Sequence, residues 1–529
     1  MDYLGPEPAP IARIVSDPAF RDVLEKRYFQ FFRQSTVAST NSLMDTRFWD
    51  RTVLQMCHVE PAVKHIVLAL GSLHQLSETM HDTDVALRHQ RYADQHYQRA
   101  LSAAQRLMRS SAPEDIDRVL VACVIFMCFE NVRGNHQASQ IHAHSGRAIM
   151  AQHCERLRQP SRRNDLDEIQ QLFARLDISA MTVGVEQARY HYDMDSFLAT
   201  NPDLVPDAFV TVQGARAPLV DHVRWVTVFG MQVYEAVLQN TSALPVLELE
   251  RLKIHDHLRR WSTHFEQVVL RDAGASPTLV LTLRIWHLLV AIQVGAHFYG
   301  SELRHDVFVP DYERLVGNAE EVVKMLAQRP DRNSFSFELG LTIPLFSTIQ
   351  RCRDPRIRRR ALKAMRAGPK QEGSWGHAGA ARLVEQLMLF EEQGLGVVEK
   401  ASDIPEWRRV VSVDVDLNNE LGVAEMIYNI APSQGHDDEL ALGLLRNPRG
   451  ESPNVGKLDA AIKPFSMSET PTMHYRARFV DEEAKLLYYG NGDNVLAHAP
   501  GPSDRSSTGD LGRHRSSTGV RVNIPQPSA

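Results

Sequence analysis

The chain has 529 residues, a formal net charge of −6, 43% apolar and 23% charged residues, an ordinary balance for a soluble globular protein with room for a large core. That charge excludes a protein that binds nucleic acid over its whole surface. Five scattered cysteines (Cys57, Cys123, Cys128, Cys154 and Cys352) argue for reduced, buried thiols and against a secreted disulfide framework.

In chain order, residues 1–16 are a Pro-rich, flexible lead without the basic and apolar regions of a signal peptide. Asp17 and Pro18 open a helix carrying Phe20, Val23, Leu24, Tyr28 and Phe31, and residues 35–42 read as a polar loop. Asp45 is the expected cap of a helix with Phe48, Trp49, Val53, Leu54 and Cys57. Pro61 opens the next, with Val63, Ile66, Val67, Leu70 and Leu73 inward and Gly71 marking a close helix approach. Residues 87–108 form an amphipathic helix with Tyr92, Tyr97, Ala100, Leu101, Ala104 and Met108 on its apolar side. Residues 115–130 are apolar nearly all round and belong at the centre, where Glu130 requires a cationic partner. The longest apolar run, 119–129, is too short to span a bilayer, so the reading is a soluble intracellular protein with no membrane partner.

Helical patterning continues over 137–153 and 166–178. Residues 181–218, with Pro202, Pro206, Gly214 and Pro218, read as a long surface connection. Helices resume at 222–240, 245–271, 277–299 and 312–328. The stretch FSFELGLTIPLFSTIQRCRDPRIRRRALKAMRAGPKQEGSW, residues 335–375, then gives two helices joined by a tight turn. Asp354 caps the second, Pro355 is its first residue, and Gly368 and Pro369 end it. Ile357, Ala361, Leu362 and Met365 line one face, and Arg356, Arg359, Arg360, Lys363 and Arg366 the other. Arg358 falls at the edge of the apolar stripe and is expected to be semi-buried and bonded to an acidic residue. After a helix at 378–392 the helical body ends near 394. IPEWRRVVSVDVDL alternates as a short strand does, with HYRARFV around Tyr475 its candidate partner. Residues 490–529, rich in Gly, Ser, Pro and Asp, are expected to be disordered.

This signature resembles the C-terminal signature of the fungal-specific transcription factor family, whose regulators usually begin with a binuclear zinc cluster. The matching residues are Phe337, Gly340, Pro344, Leu345, Thr348, Cys352, Arg353, Pro355, Ile357, Arg358, Arg359, Ala361, Pro369, Glu372, Gly373 and Trp375. A second similar run comprises Phe48, Trp49, Leu54, Glu60, Pro61, Val63, His65, Ala69, Leu70, Gly71, Leu73 and His74. CFENVRGN, HAHSG, LFARLD and IPEW are similar to further family landmarks. The resemblance is closest to regulators of secondary-metabolite gene clusters. It implies an all-α, multi-helix array of packed helical hairpins, a regulatory role in the nucleus, and no catalysis.

The family's six-cysteine cluster, which holds two zinc ions and places a helix in the DNA major groove, has no counterpart in these five cysteines. Cys123 and Cys128 point in different directions from one helix and read as core. No cofactor is therefore expected in this chain; zinc belongs to it only if a cluster lies upstream. DNA would be reached through that missing cluster or through a partner protein, including a homo- or heterodimer with related regulators. His136, His142, His144, His153 and Cys154 lie close in sequence, but His142 and His144 face about 200° apart on a helix, and no metal site is expected there. Asp437, Asp438 and Glu439 read as a solvated acidic turn. The basic face of the second signature helix reads as solvated or bridged to acids in preference to phosphate-binding. No Walker A loop, GxGxxG or GxSxG in context supports an enzyme, so catalytic, cofactor and metal residues are all expected to be none. The expected divisions are the lead at 1–16, a helical regulatory domain at 17–394, an irregular extension with short strands at 395–489, and the tail. The alternative is a helical scaffold or small-molecule-binding protein that acts through protein partners without touching DNA.

Overall fold

The computed structural model describes residues 20, 22–44, 47–78, 83–109, 113–152, 163–183, 205–238, 244–296, 301–328, 335–373, 375–418, 423–430, 473–480 and 519–522. Asp17, Pro18, Asp45, His153, Cys154 and the acidic run at 437–439 lie outside them. Among the described residues the first helix is α1 (Val23–Phe31), capped by Asp22, whose side chain accepts the Glu25 N–H at 2.7 Å. The polar stretch after it is a helix and not a loop: a π-turn at Phe32–Thr36 leads into α2 (Val37–Met44). Its hydroxyls are satisfied internally. Thr40 donates to the Thr36 carbonyl and Thr36 meets His74 Nδ1, both at 2.8 Å, so Thr36, Ser39 and Thr40 are buried without penalty. A second π-turn at Phe48–Val53 runs into the short α3 (Leu54–Met56).

Pro61 opens α4 (Pro61–Glu78), which lies against α5 (Thr83–Met108). A Cβ on Gly71 would sit 2.8 Å from the Tyr28 carbonyl oxygen, so glycine there lets α1 approach α4. Met108 departs from the expected face and is 54% exposed, because the last turn of α5 runs past the core. The apolar helix α6 (Pro113–Val132) is central, with every residue from Val119 to Val132 buried. Glu130 is held by Tyr97 and Asn135 rather than by an ion pair; burial pushes its carboxyl up, and Arg133, bridged to Asp94 at 3.1 Å, acts on it only as a nearby charge. α7 (His136–Gln152) and α8 (Arg163–Val183) complete the first lobe.

Two hydrophobic cores meet at α8. Leu172, Phe173 and Leu176 pack into the first, and Ala174 and Ile178 into the second. The expected surface connection is only partly so: Val205, Phe209 and Val212 are buried in the second core. α9 (Arg216–Leu238) begins before His222, since Pro218 falls in its first turn, where the missing N–H costs nothing. α10 (Leu244–Val269), α11 (Pro277–Gly295) and α12 (Val309–Ala327) follow. By length and composition α11 could cross a membrane, yet Leu283, Ile285, Trp286, Leu289, Val290, Ile292 and Val294 are packed into the second core.

The signature pair is α13 (Thr342–Arg351) and α14 (Pro355–Ala367), and α15 (His377–Glu392) packs on both. Short strands β1 (Phe335–Ser336), β2 (Gln371–Glu372) and β3 (Trp375–Gly376) bracket the pair, β1 parallel to β2 and β2 antiparallel to β3. Beyond α15, β4 (Val410–Asn418), β5 (Val423–Ile430), β6 (Met473–Val480) and β7 (Gly519–Val522) form an antiparallel sheet in the order β6-β5-β4-β7. HYRARFV therefore pairs with β5, which separates it from β4. Residues 519–522 of the expected disordered tail form the edge strand. The described part is otherwise a packed helical array, as the resemblance implies.

Candidate functional site

The signature helices bury guanidinium groups. The Asp354 carboxylate accepts the N–H groups of Arg356 and Ile357 at 3.0 and 3.1 Å, which fixes where α14 starts. Ile357, Ala361, Leu362 and Met365 face the core as expected, and that sets the direction of Arg358. Arg358 is completely buried, deeper than its edge position suggested. It donates to Glu391 at 2.5 Å and to the Ile349 carbonyl at 2.7 Å.

Arg358 is one member of a network. Arg353 donates to Glu302 at 2.7 Å, to Glu391 at 3.0 Å, and to the carbonyls of Arg351 and Val410 at 2.9 and 3.0 Å. Arg351 reaches Glu302 at 2.5 Å. Arg409 takes both oxygens of Asp306, at 2.7 and 2.8 Å, and three backbone carbonyls. Arg408 donates to the carbonyls of Phe390, Glu391 and Gln393, where α15 ends. Burial opposes ionisation of Glu302, but Arg351 and Arg353 outweigh it and hold the carboxyl at about 2. The reading of the sequence missed Glu302, Asp306 and Glu391, because arginine partners 33 to 103 residues away leave no local pattern.

The remaining signature residues join the lobes. Phe337 packs in the first core with its ring 5.4 Å from Trp49. Next to it Glu338 forms a fully buried pair with Arg175 of α8. Glu372 caps α13, accepting the Thr342 N–H at 2.6 Å. Gly340 is required there, because a Cβ would overlap the Glu372 carboxyl. Gly373 has φ +56°, and Trp375 Nε1 donates to Thr182 at 2.9 Å.

On the basic face of α14, Arg359, Arg360 and Arg366 are bridged to acids of other helices, in line with the reading preferred over phosphate contact. Arg359 meets Glu392 at 2.6 Å, Arg360 meets Glu320 at 2.7 Å and also Glu313, and Arg366 meets Glu385 at 2.6 Å. His142 stacks on Phe126 and bonds Tyr97, whereas His144 is exposed, so the two do not converge. Cys57, Cys123, Cys128 and Cys352 are buried. One cluster went unforeseen: ligand atoms of Glu25, His65 and His96 lie within 4.8 Å of one another. Lys64 bonds Glu25 at 2.7 Å, His65 Nδ1 lies 3.1 Å from His96 Nδ1, and Arg99 meets the other nitrogen of His96 at 3.3 Å, so all three side chains already have protein partners. Separately, a cleft of about 960 Å³ opens among α10, α11 and α12.

The model of the "Fungal specific transcription factor domain" family matches residues 27–346, more than half of the chain. The chain belongs to this family. Its function is accordingly transcription regulation. Among curated relatives, the chain is 21% identical over 465 residues to the "Aspercryptin biosynthesis cluster-specific transcription regulator atnN" of Emericella nidulans, covering 70% of this chain and 74% of that one. It is 30% identical over 143 residues to "Transcription regulator lscL" of Purpureocillium lilacinum, covering 25% of this chain and 32% of that one. No solved structure matches.

The family domain also has a built-in acid sensitivity. Burial holds His74 and His305 down at about 3, and His142 and His222 at about 4, against an ordinary 6.5. Below pH 6.5 the unfolded chain binds protons that these rings refuse, so their contribution to stability falls as pH drops from about 6.5 toward 3. Each fully buried ring is expected to cost on the order of 1 kcal/mol by pH 5.5. Urea midpoints at pH 7.5 and 5.5 check this; equal midpoints would show that the rings titrate normally.

Proposed function

We propose that the chain is a nuclear, non-catalytic regulator of a biosynthetic gene cluster that reaches DNA through a zinc cluster outside this sequence or through a partner protein. The observation behind this reading is the family match, together with the name of the Emericella relative, which ties that protein to a biosynthesis cluster. The acid-bridged arginines of α14 fit it, since a face already neutralised offers little to phosphates. We take the regulatory domain to extend past residue 346 to the end of α15, because Glu391 completes the buried network. Deleting the gene and overexpressing it, with transcripts read genome-wide, tests the proposal. Coordinated change in one contiguous set of biosynthetic genes, with a fluorescently tagged protein in the nucleus, is the expected result. Scattered or no change with a cytosolic protein would favour the scaffold reading.

A further inference from the structure

The cleft among α10, α11 and α12 has a property that the packing does not explain. Gly317 sits in the middle of α12, where glycine is among the poorest helix formers. Its φ is not positive, and a Cβ built there would meet nothing within 4 Å. Neither backbone conformation nor a close neighbour calls for glycine, and its side-chain position opens onto the cleft. Gly295 across the cleft differs, because a Cβ there would run into the Phe308 ring.

The lining includes His287, which is half-buried, with the core rings of Trp261 and Phe265, each 1% exposed, beneath it. Trp261 and Phe265 stack at 4.6 Å and 13°, and His287 stacks on Trp261 at 5.2 Å and 19°. His287 Nε2 lies 3.1 Å from the Leu258 carbonyl and donates to it, which leaves Nδ1 as an acceptor. The charges on the rim are already matched. Arg284 holds both oxygens of Glu266 at 2.9 and 2.5 Å, Arg251 holds both of Glu248 at 2.8 and 2.6 Å, and Arg314 pairs with Asp311. Glu313 is taken by Arg360. An anion would have to compete with carboxylates in place, and a cation with guanidiniums. A volume of about 960 Å³ lies within the range of small-molecule sites.

We propose that this cleft binds an uncharged small molecule with a flat, apolar body and at least one hydrogen-bonding group, laid against His287 in the space that Gly317 leaves open. Binding itself stands apart from the gene-cluster reading; only its regulatory consequence rests on that reading. Occupancy would favour the α10–α11–α12 arrangement in which the cleft is formed, which is the differential affinity a ligand needs in order to shift a conformational equilibrium.

The test titrates the purified full chain with Nile red, a neutral flat fluorophore, and in parallel with the anionic 1-anilinonaphthalene-8-sulfonate. Saturable Nile red binding is expected, weakened at least tenfold by Gly317→Leu, whose side chain would take the space against which the dye lies. The thermal midpoint of that variant should be unchanged or higher, because leucine replaces a mid-helix glycine. Ser262→Leu, on the α10 wall, gives a second way to fill the cleft if the first variant folds poorly. Nile red binding that both variants leave unchanged, or absence of saturable binding, would overturn the site. Equally tight binding of the sulfonate, lost in Gly317→Leu, would overturn its preference for uncharged molecules. Transcript profiling of Gly317→Leu is a separate readout, so loss of dye binding without transcript change refutes only the link to regulation.

Discussion

Arg353→Met is expected to lower the unfolding free energy of the chain by about 3–5 kcal/mol. Arg353 is fully buried and spans Glu302 and Glu391, which approach from opposite sides and have no water to turn to. Methionine fills most of the volume, so little of the loss would come from a cavity. The cost comes from leaving two buried carboxylates short of a counter-charge, with only Arg351 and Arg358 to compensate. Arg353→Lys should fare little better, since one ammonium cannot reproduce bonds to two carboxylates and two carbonyls. Denaturant midpoints and soluble yield report the outcome. A midpoint within 0.5 M urea of the parent, about 1 kcal/mol at ordinary slopes, would mean that the network adds little to stability.

The Arg175–Glu338 pair gives a comparable effect with a sharper diagnostic. Arg175→Met alone is expected to cost about 3–5 kcal/mol, because Glu338 is left fully buried and ionisable at the junction of the lobes. The double variant Arg175→Met with Glu338→Leu should recover most of that loss, since replacing both members of a buried pair by apolar groups is often neutral. If the double variant is as unstable as the single one, the pair is not the cause. The junction would then depend on side-chain shape, through Phe337 and Trp49, more than on charge.

Much of this architecture was legible in the chain itself. The cap at Asp354, the start at Pro61, the close approach at Gly71 and the buried acid partner of Arg358 follow from short-range rules, and the structure has each of them. Reading failed where polar residues are satisfied internally. Thr36, Ser39 and Thr40 look like a loop until Thr36 meets His74, 38 residues away. It failed again where tertiary partners decide, as for Glu302, Asp306 and Glu391, and for β5, whose place between β4 and β6 is fixed by pairing rather than by its own pattern. The family signature was recognisable before its reason was. Its glycines, glutamate and tryptophan hold a junction together, with Gly340 giving way to Glu372 and Trp375 reaching Thr182.

The buried arginine network also fixes an order of events during synthesis. Glu302 leaves the ribosome 49 residues before Arg351 and 107 residues before Arg409, whose guanidinium closes over its carbonyl. At about 5–20 residues per second that interval is roughly 5–20 s. For the first 49 of those residues Glu302 has neither Arg351 nor Arg353, and Asp306 lacks Arg409 almost to the end, so the second lobe cannot close while α13, α14 and the segment after α15 are still being translated. The nascent chain therefore presents the apolar faces of α10, α11 and α12 for many seconds, and it is in that window, more than in the finished protein, that a chaperone would find it.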